Sequence, residues 1–210
     1  LPFGFSKKIN LVGTECRLHR ITYVGELGFE IYIPYNNLEK VFDVVYAKNG
    51  KSPVKLAGYH ALNSLRMEKG YLHWGHDIGV EENPFEAGVG FCVNFNKKNP
   101  FLGQTALEEK KKSGLTKRKV NFALSNNDLL IYHNEPIYFD GKIVGEISSG
   151  MYGFYLDKSL GMGYISNNDC YSIEEMMSHQ KFEIEVAETK YSAEGSINCF
   201  YDPGREKILV

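Results

Sequence analysis

No two cysteines of this 210-residue chain stand at metal-binding or redox spacing. Cys16, Cys92, Cys170 and Cys199 are scattered, with no C-x-x-C among them. That argues against a zinc site or a thioredoxin-like centre. The dispersed thiols read as reduced side chains of a cytoplasmic protein or, in a eukaryote, of the mitochondrial matrix, although sequence alone leaves disulfides open. No apolar run approaches the roughly 20 residues that cross a bilayer. The start, Leu1 to Phe5, has no basic segment followed by an apolar stretch, as a secretory signal would. Net charge is slight, at −2, so no broad field draws the chain to nucleic acid or an anionic membrane, and neither is expected as a partner. No G-x-G-x-x-G, P-loop or G-x-S-x-G occurs. An initiator methionine is also missing, so the natural protein is expected to be longer, with the remaining N-terminal part of the same polypeptide as a partner of this one.

What is present is aromatic and turn-rich: 14 Tyr, 13 Phe and 21 Gly, a balance that favours strands joined by tight turns. Cys16 to Tyr23 alternates like a half-buried strand. After the turn Gly25–Gly28, a second strand runs from Phe29 to Pro34. It sets Phe29, Ile31 and Ile33 on a packed face and Glu30 and Tyr32 on the other. Helical spacing of Leu38, Val41, Phe42 and Val45 predicts a helix from Asn37 to Lys48, capped by Asn36 or Asn37 and stopped by Gly50. A second helix is predicted from Leu56 or Tyr59 to Glu68, ended by Gly70. Strands followed by helices make this an α+β pattern. A polar stretch from Asn94 to Pro100 leads into a short helix over 103–112, where Lys110, Lys111 and Lys112 form a solvated end. Beyond Gly114 strands return at 120–124, 136–139, 143–147, 161–165 and 182–186. Asp140-Gly141 marks a hairpin, because that pair suits a type I′ turn. The division read from this is 1–95 for the first region, 96–116 for a connecting segment with its helix, and 117–210 for a small β-barrel.

Residue chemistry taken alone identifies no enzyme. Glu30 is either a solvated carboxylate or a fixed acceptor for a planar N–H/NH₂ edge. Arg66 and Glu68 lie two apart on a helix and do not face each other, so each is expected to brace the helix elsewhere. His73, His76 and Asp77 lack a recognisable third partner, and no metal is expected. The glycines from Gly145 to Gly153 read as turns that interrupt strands.

Segments in order along the chain resemble the glycine cleavage T-protein (aminomethyltransferase) family. They include Tyr23-Val24-Gly25-Glu26-Leu27-Gly28-Phe29-Glu30, Ala61-Leu62-Asn63-Ser64-Leu65-Arg66-Met67-Glu68 and Trp74-Gly75-His76-Asp77. Pro84 to Phe91, Asn134-Glu135-Pro136-Ile137-Tyr138, Gly145 to Gly150 and Gly161 to Ile165 continue the match. Leu-Gly-Phe-Glu and Asn-Glu-Pro-Ile-Tyr resemble the branch fused to dimethylglycine and sarcosine dehydrogenases. The resemblance implies a partial folate-binding region, with a ferredoxin-like antiparallel sheet and helices, followed by the family's C-terminal barrel. It implies tetrahydrofolate as cofactor, Glu30 as the residue that grips the pterin edge and Tyr23 as a folate contact. Leu62 stands where the stand-alone enzyme has a folate-contacting arginine, so that contact is not carried over. By the same resemblance the catalytic aspartate lies upstream of Leu1, so no catalytic residue is assigned here, and FAD is expected only in an upstream domain. The implied activity is transfer of a one-carbon unit from an N-methyl amine to form 5,10-methylenetetrahydrofolate. A folate-dependent sulfonium demethylase and a non-catalytic folate-binding or assembly protein are the alternatives.

Overall fold

The computed structural model describes residues 1–46 and 54–210. Three strands open it: β1 (Ser6–Leu11), β2 (Thr14–His19) and β3 (Glu30–Tyr32), paired antiparallel in that order. The strand read from Cys16 to Tyr23 ends four residues early. Its alternation breaks at Arg20, whose buried guanidinium turns to the chain termini and donates to the carbonyls of Leu1, Ile208 and Val210. A charge taken out of water needs such partners; the Arg20 backbone itself still bonds to Gly4 and Phe5, just before β1. A further departure is the face of β3 read as packed. Phe29 is 49% exposed and Ile31 36%, because no element among the described residues covers them.

Helix α1 (Leu38–Tyr46) follows a 3-10 turn over Tyr35–Asn37, and the expected end at Lys48 and Gly50 lies outside the described residues. Helix α2 (Tyr59–Glu68) starts at the later of its two predicted positions and buries Ser64, Arg66, Met67 and Glu68. Helix α3 (Gln104–Ser113) sits between two left-turning glycines, Gly103 and Gly114.

The remainder is a closed antiparallel barrel in the order β4-β7-β6-β5-β8-β9. Its strands are β4 (Lys117–Leu124), β5 (Pro136–Phe139), β6 (Lys142–Gly153), β7 (Lys158–Ser166), β8 (Phe182–Val186) and β9 (Thr189–Ser196). Closure removes the unpaired edges that an open sheet would expose. Inside, Phe122, Phe139 and Phe182 meet edge-to-face amid Ile137, Ile147, Ile165 and Ile184. Helix α4 (Ile173–His179), absent from the sequence reading, is capped by Ser172 and Glu175 in a reciprocal box. It seals the core with Ile173 and Met176. A one-turn helix, α5 (Glu206–Leu209), ends the chain. The α+β class with a C-terminal barrel is as read.

The hairpin at Asp140-Gly141 stands, with φ of 48° and 79°. The glycines of 145–153 do not interrupt strands: they lie within the single strand β6. A Cβ on Gly145 would meet the Tyr164 carbonyl oxygen at 1.8 Å, and one on Gly150 the Ile131 oxygen at 2.3 Å. Those glycines are there for close backbone approach, not for turning.

Candidate functional site

The outer face of the barrel carries the first region through α2. Met67 packs with Ala123, Leu160 and Met162, side chains that alternation on β4 and β7 directs outward. Polar bonds surround that contact. Ser64 Oγ donates to the Tyr152 carbonyl at 2.7 Å, and the Glu68 carboxylate accepts from the amides of Tyr155 (2.8 Å) and Leu156 (3.0 Å). Arg66 Nη1 meets Asp77 Oδ2 at 2.6 Å, with both side chains at most 4% exposed, and its Nη2 donates to Ser149 Oγ at 3.0 Å. Arg66 and Glu68 therefore brace the helix, each with its own partners. Asp77 also accepts from the His73 amide (2.8 Å) and from Ser148 Oγ (2.6 Å). Its oxygens are committed, and no group able to hold a metal ion is found among the described residues.

Where α2 ends, a cavity of about 530 Å³ opens between the first region and the barrel. Tyr23 lines it beside Tyr71, the two rings parallel within 10° at 6.2 Å. The Tyr23 hydroxyl donates to the Leu72 carbonyl at 2.9 Å, and burial raises its pKa, so the phenol stays neutral. Leu72, Ile78 and Val89 give the cavity apolar walls, while Arg118, Lys119 and Cys199 supply polar atoms from the barrel side. Lys69 borders it too, but its ammonium is held by Asp202 at 2.6 Å. That ion pair is in turn the main reason the Asp202 carboxyl lies below its ordinary pKa.

Glu30 lies elsewhere on the first region. It sits on β3, exposed, and accepts from the Tyr32 hydroxyl at 2.7 Å through Oε2. It is not on the wall of the cavity that Tyr23 lines. Gly28 folds back on Thr22, so the loop between β2 and β3 is tight and holds the stretch carrying both residues compact. The structure thus brings Tyr23 together with Tyr71 and the barrel cations, and leaves the Glu30 carboxylate on an open face. Sequence reasoning missed Lys119 and Arg118. The available signal was alternation: Lys119 shares the outward face of Asn121 and Ala123, opposite Val120 and Phe122 in the barrel core.

Two family models match in chain order. The one described as "GCVT N-terminal domain" matches residues 1–97, and "Glycine cleavage T-protein C-terminal barrel domain" matches 117–202. The chain belongs to the glycine cleavage T-protein family. Relatives in this family include human mitochondrial sarcosine dehydrogenase, 31% identical over 99% of this chain and 22% of that protein. Human mitochondrial dimethylglycine dehydrogenase is 36% identical over 70% of this chain and 17% of that protein. The mouse pyruvate dehydrogenase phosphatase regulatory subunit is 32% identical over 98% of this chain and 25% of that protein. The chain thus spans about a quarter or less of these relatives' length. In fold it is similar to the crystal structure of the glycine cleavage system aminomethyltransferase T from Bartonella henselae. The TM-score is 0.72, at 24% identity, over 90% of this chain and 50% of that one. No helix among the described residues is long and apolar enough to cross a membrane.

Proposed function

We propose that this T-protein-family chain is the C-terminal tetrahydrofolate-binding part of an aminomethyltransferase-like or N-methyl-amine-dehydrogenase-like enzyme. The observation that carries the reading is Tyr23: it lies within the stretch that resembles the family's folate-binding loop, and it borders the largest cavity described. The residues present fit such a ligand in part. A parallel pair of neutral aromatic rings beside an apolar wall suits a flat ring system, and Tyr23 and Tyr71 would hold it by stacking and shape. The Glu30 carboxylate has Oε1 free of the Tyr32 bond and faces open space, so it would accept N–H donors of the pterin rim approaching from outside the cavity. When bound, tetrahydrofolate supplies a nucleophilic nitrogen that accepts the one-carbon unit. The chain's own contribution is orientation, which turns a bimolecular encounter into a positioned one. The substrate amine, the division at 95 and 116, and a place in the mitochondrial matrix in a eukaryote belong to the same proposal. The relatives named mitochondrial support that last point.

Calorimetric titration of the chain with tetrahydrofolate tests it. Binding is expected, weakened about tenfold or more by Glu30→Ala, which leaves pterin donors unpaired. Absence of binding, or indifference to both Glu30→Ala and Tyr23→Ala, overturns it. The match to a phosphatase regulatory subunit over nearly the whole chain favours one second reading, a non-catalytic member of the family. Under that reading, joining the chain to its upstream polypeptide yields no methylenetetrahydrofolate.

A further inference from the structure

The charges around the large cavity do not balance. Lys119 is only 7% exposed, yet among the described residues no carboxylate lies within ion-pair reach of it. Its one hydrogen bond runs to a neutral amide, Asn121 Oδ1, at 3.0 Å. An ammonium carries three donors, so two remain without a protein acceptor. Asn121 does not move to serve them, since its Nδ2 is tied to the carbonyls of Ser196, Ile197 and Asn198. Arg118, the neighbouring cation, donates to the Phe85 carbonyl and has no ion-pair partner among the described residues.

Every other charged or titratable group facing Lys119 is spoken for or neutral. Asp77 is committed to Arg66, His73 and Ser148. Lys69 is paired with Asp202. Burial pushes the Cys199 thiol up and keeps it protonated, as it does the phenols of Tyr23 and Tyr71. Two cations thus border one cavity, and no anion among the described residues answers them. Buried charge without a partner is costly, and folded proteins keep it where a ligand completes the pair.

We infer that this cavity is a carboxylate site, in which Lys119 and Arg118 take the anionic end of an organic acid whose aromatic body lies along Tyr23, Tyr71 and Leu72. The identification of that acid as the glutamyl end of a folate rests on the folate reading above; the carboxylate site does not. The other source of the same chemistry is the carboxylate of a small N-methylated amino acid. The aromatic wall favours the first.

A titration consequence follows. Burial, assisted by Arg118, pushes the Lys119 amine down to about 8, against the pull of Asp77 and Cys199. A bound carboxylate favours the protonated amine. Affinity is therefore full below about pH 8 and falls as pH rises through that value, and binding above it takes up a proton.

The test is calorimetry on the full chain with three probes: 4-aminobenzoyl-glutamate, the uncharged 4-aminobenzamide, and sarcosine. The wild type is compared with Lys119→Met and Lys119→Arg at about pH 7 and about pH 9.5. The inference expects 4-aminobenzoyl-glutamate to bind at the lower pH, about tenfold more weakly in Lys119→Met and at the higher pH in the wild type. Lys119→Arg, which stays charged at both values, keeps the binding and removes the pH effect. Sarcosine bound with the same dependence upholds the carboxylate site and assigns it to the small amino acid. Equal binding of the benzamide, a thermally stable Lys119→Met with unchanged affinity, or no binding of either acid overturns the inference. Tetrahydrofolate binding that depends on Glu30 but ignores Lys119→Met leaves the folate reading standing and this one fallen. The converse result reverses the two.

Discussion

The barrel and the region before it are built on opposite economies of burial. Strands β4–β9 enclose a continuous core in which Phe122, Phe139, Phe182 and six or more aliphatic side chains are buried. Among the described residues between 1 and 97 the buried apolar side chains are Cys16, Val41, Met67 and Ala87, and of these only Met67 belongs to a core cluster. Phe42, Val44, Tyr35 and Trp74 stay exposed there. Apart from the apolar contact of Met67 and Leu72, what ties that region down is polar: the bonds of Ser64, Arg66 and Glu68 to the barrel, the hydroxyl of Tyr164 on the Asp77 carbonyl, and Lys69 on Asp202. The barrel is thus a self-sufficient platform. The first region is a thinner layer bolted onto it, and the cavity lies along the seam.

The bolts are the first place to break the comparison. Asp77→Ala leaves the Arg66 guanidinium buried and unpaired and frees the His73 amide and Ser148, so a loss of about 3–5 kcal/mol is expected in denaturant unfolding. Protease sensitivity should appear first between 54 and 97, with the barrel released intact. If the barrel unfolds in the same step, the two regions are one cooperative unit.

Truncation sharpens the contrast. Phe122→Ala in the barrel core should cost about 3–5 kcal/mol. Phe42→Ala in α1, a side chain 45% exposed, should stay below about 1 kcal/mol by chemical denaturation. Similar losses at both sites would mean that α1 is covered in the folded protein.

Lys119 offers a smaller, pH-dependent effect. Its amine is depressed in the folded state to about 8 from an ordinary 10.5, so the unfolded chain binds more protons between those values. Stability therefore rises with pH across about 8 to 10.5, and the burial cost is present in full below that window. Lys119→Met should abolish the rise and stabilise the chain near pH 7 by up to roughly 3 kcal/mol. Thermal melts across the window check this, and a rise that persists in the variant would remove Lys119 as its source.

Much of this was legible in residue patterns, and the misses have physical causes. The barrel strands carried period-two alternation and the Asp140-Gly141 turn, and both survive because one face of each strand is enclosed. The burial of Arg20 at the end of β2 was not legible, because its guanidinium bonds to Ile208 and Val210, nearly 190 residues away. The β6 glycines were misread because close approach to Tyr164 and Ile131 is a tertiary fact that leaves no local period. At the site, Tyr23 and Glu30 came from resemblance, whereas Lys119 needed the strand's facing direction and the location of the cavity.

The most direct measurement is a tetrahydrofolate titration followed by amide NMR shifts of the whole chain. Resonances of Tyr23, Gly28 to Tyr32, Tyr71 and Lys119 are expected to move together, while those of the enclosed Phe139 and Ile184 hold still. Shifts confined to the barrel interior, or none along the β2–β3 loop at saturating ligand, would contradict the folate reading.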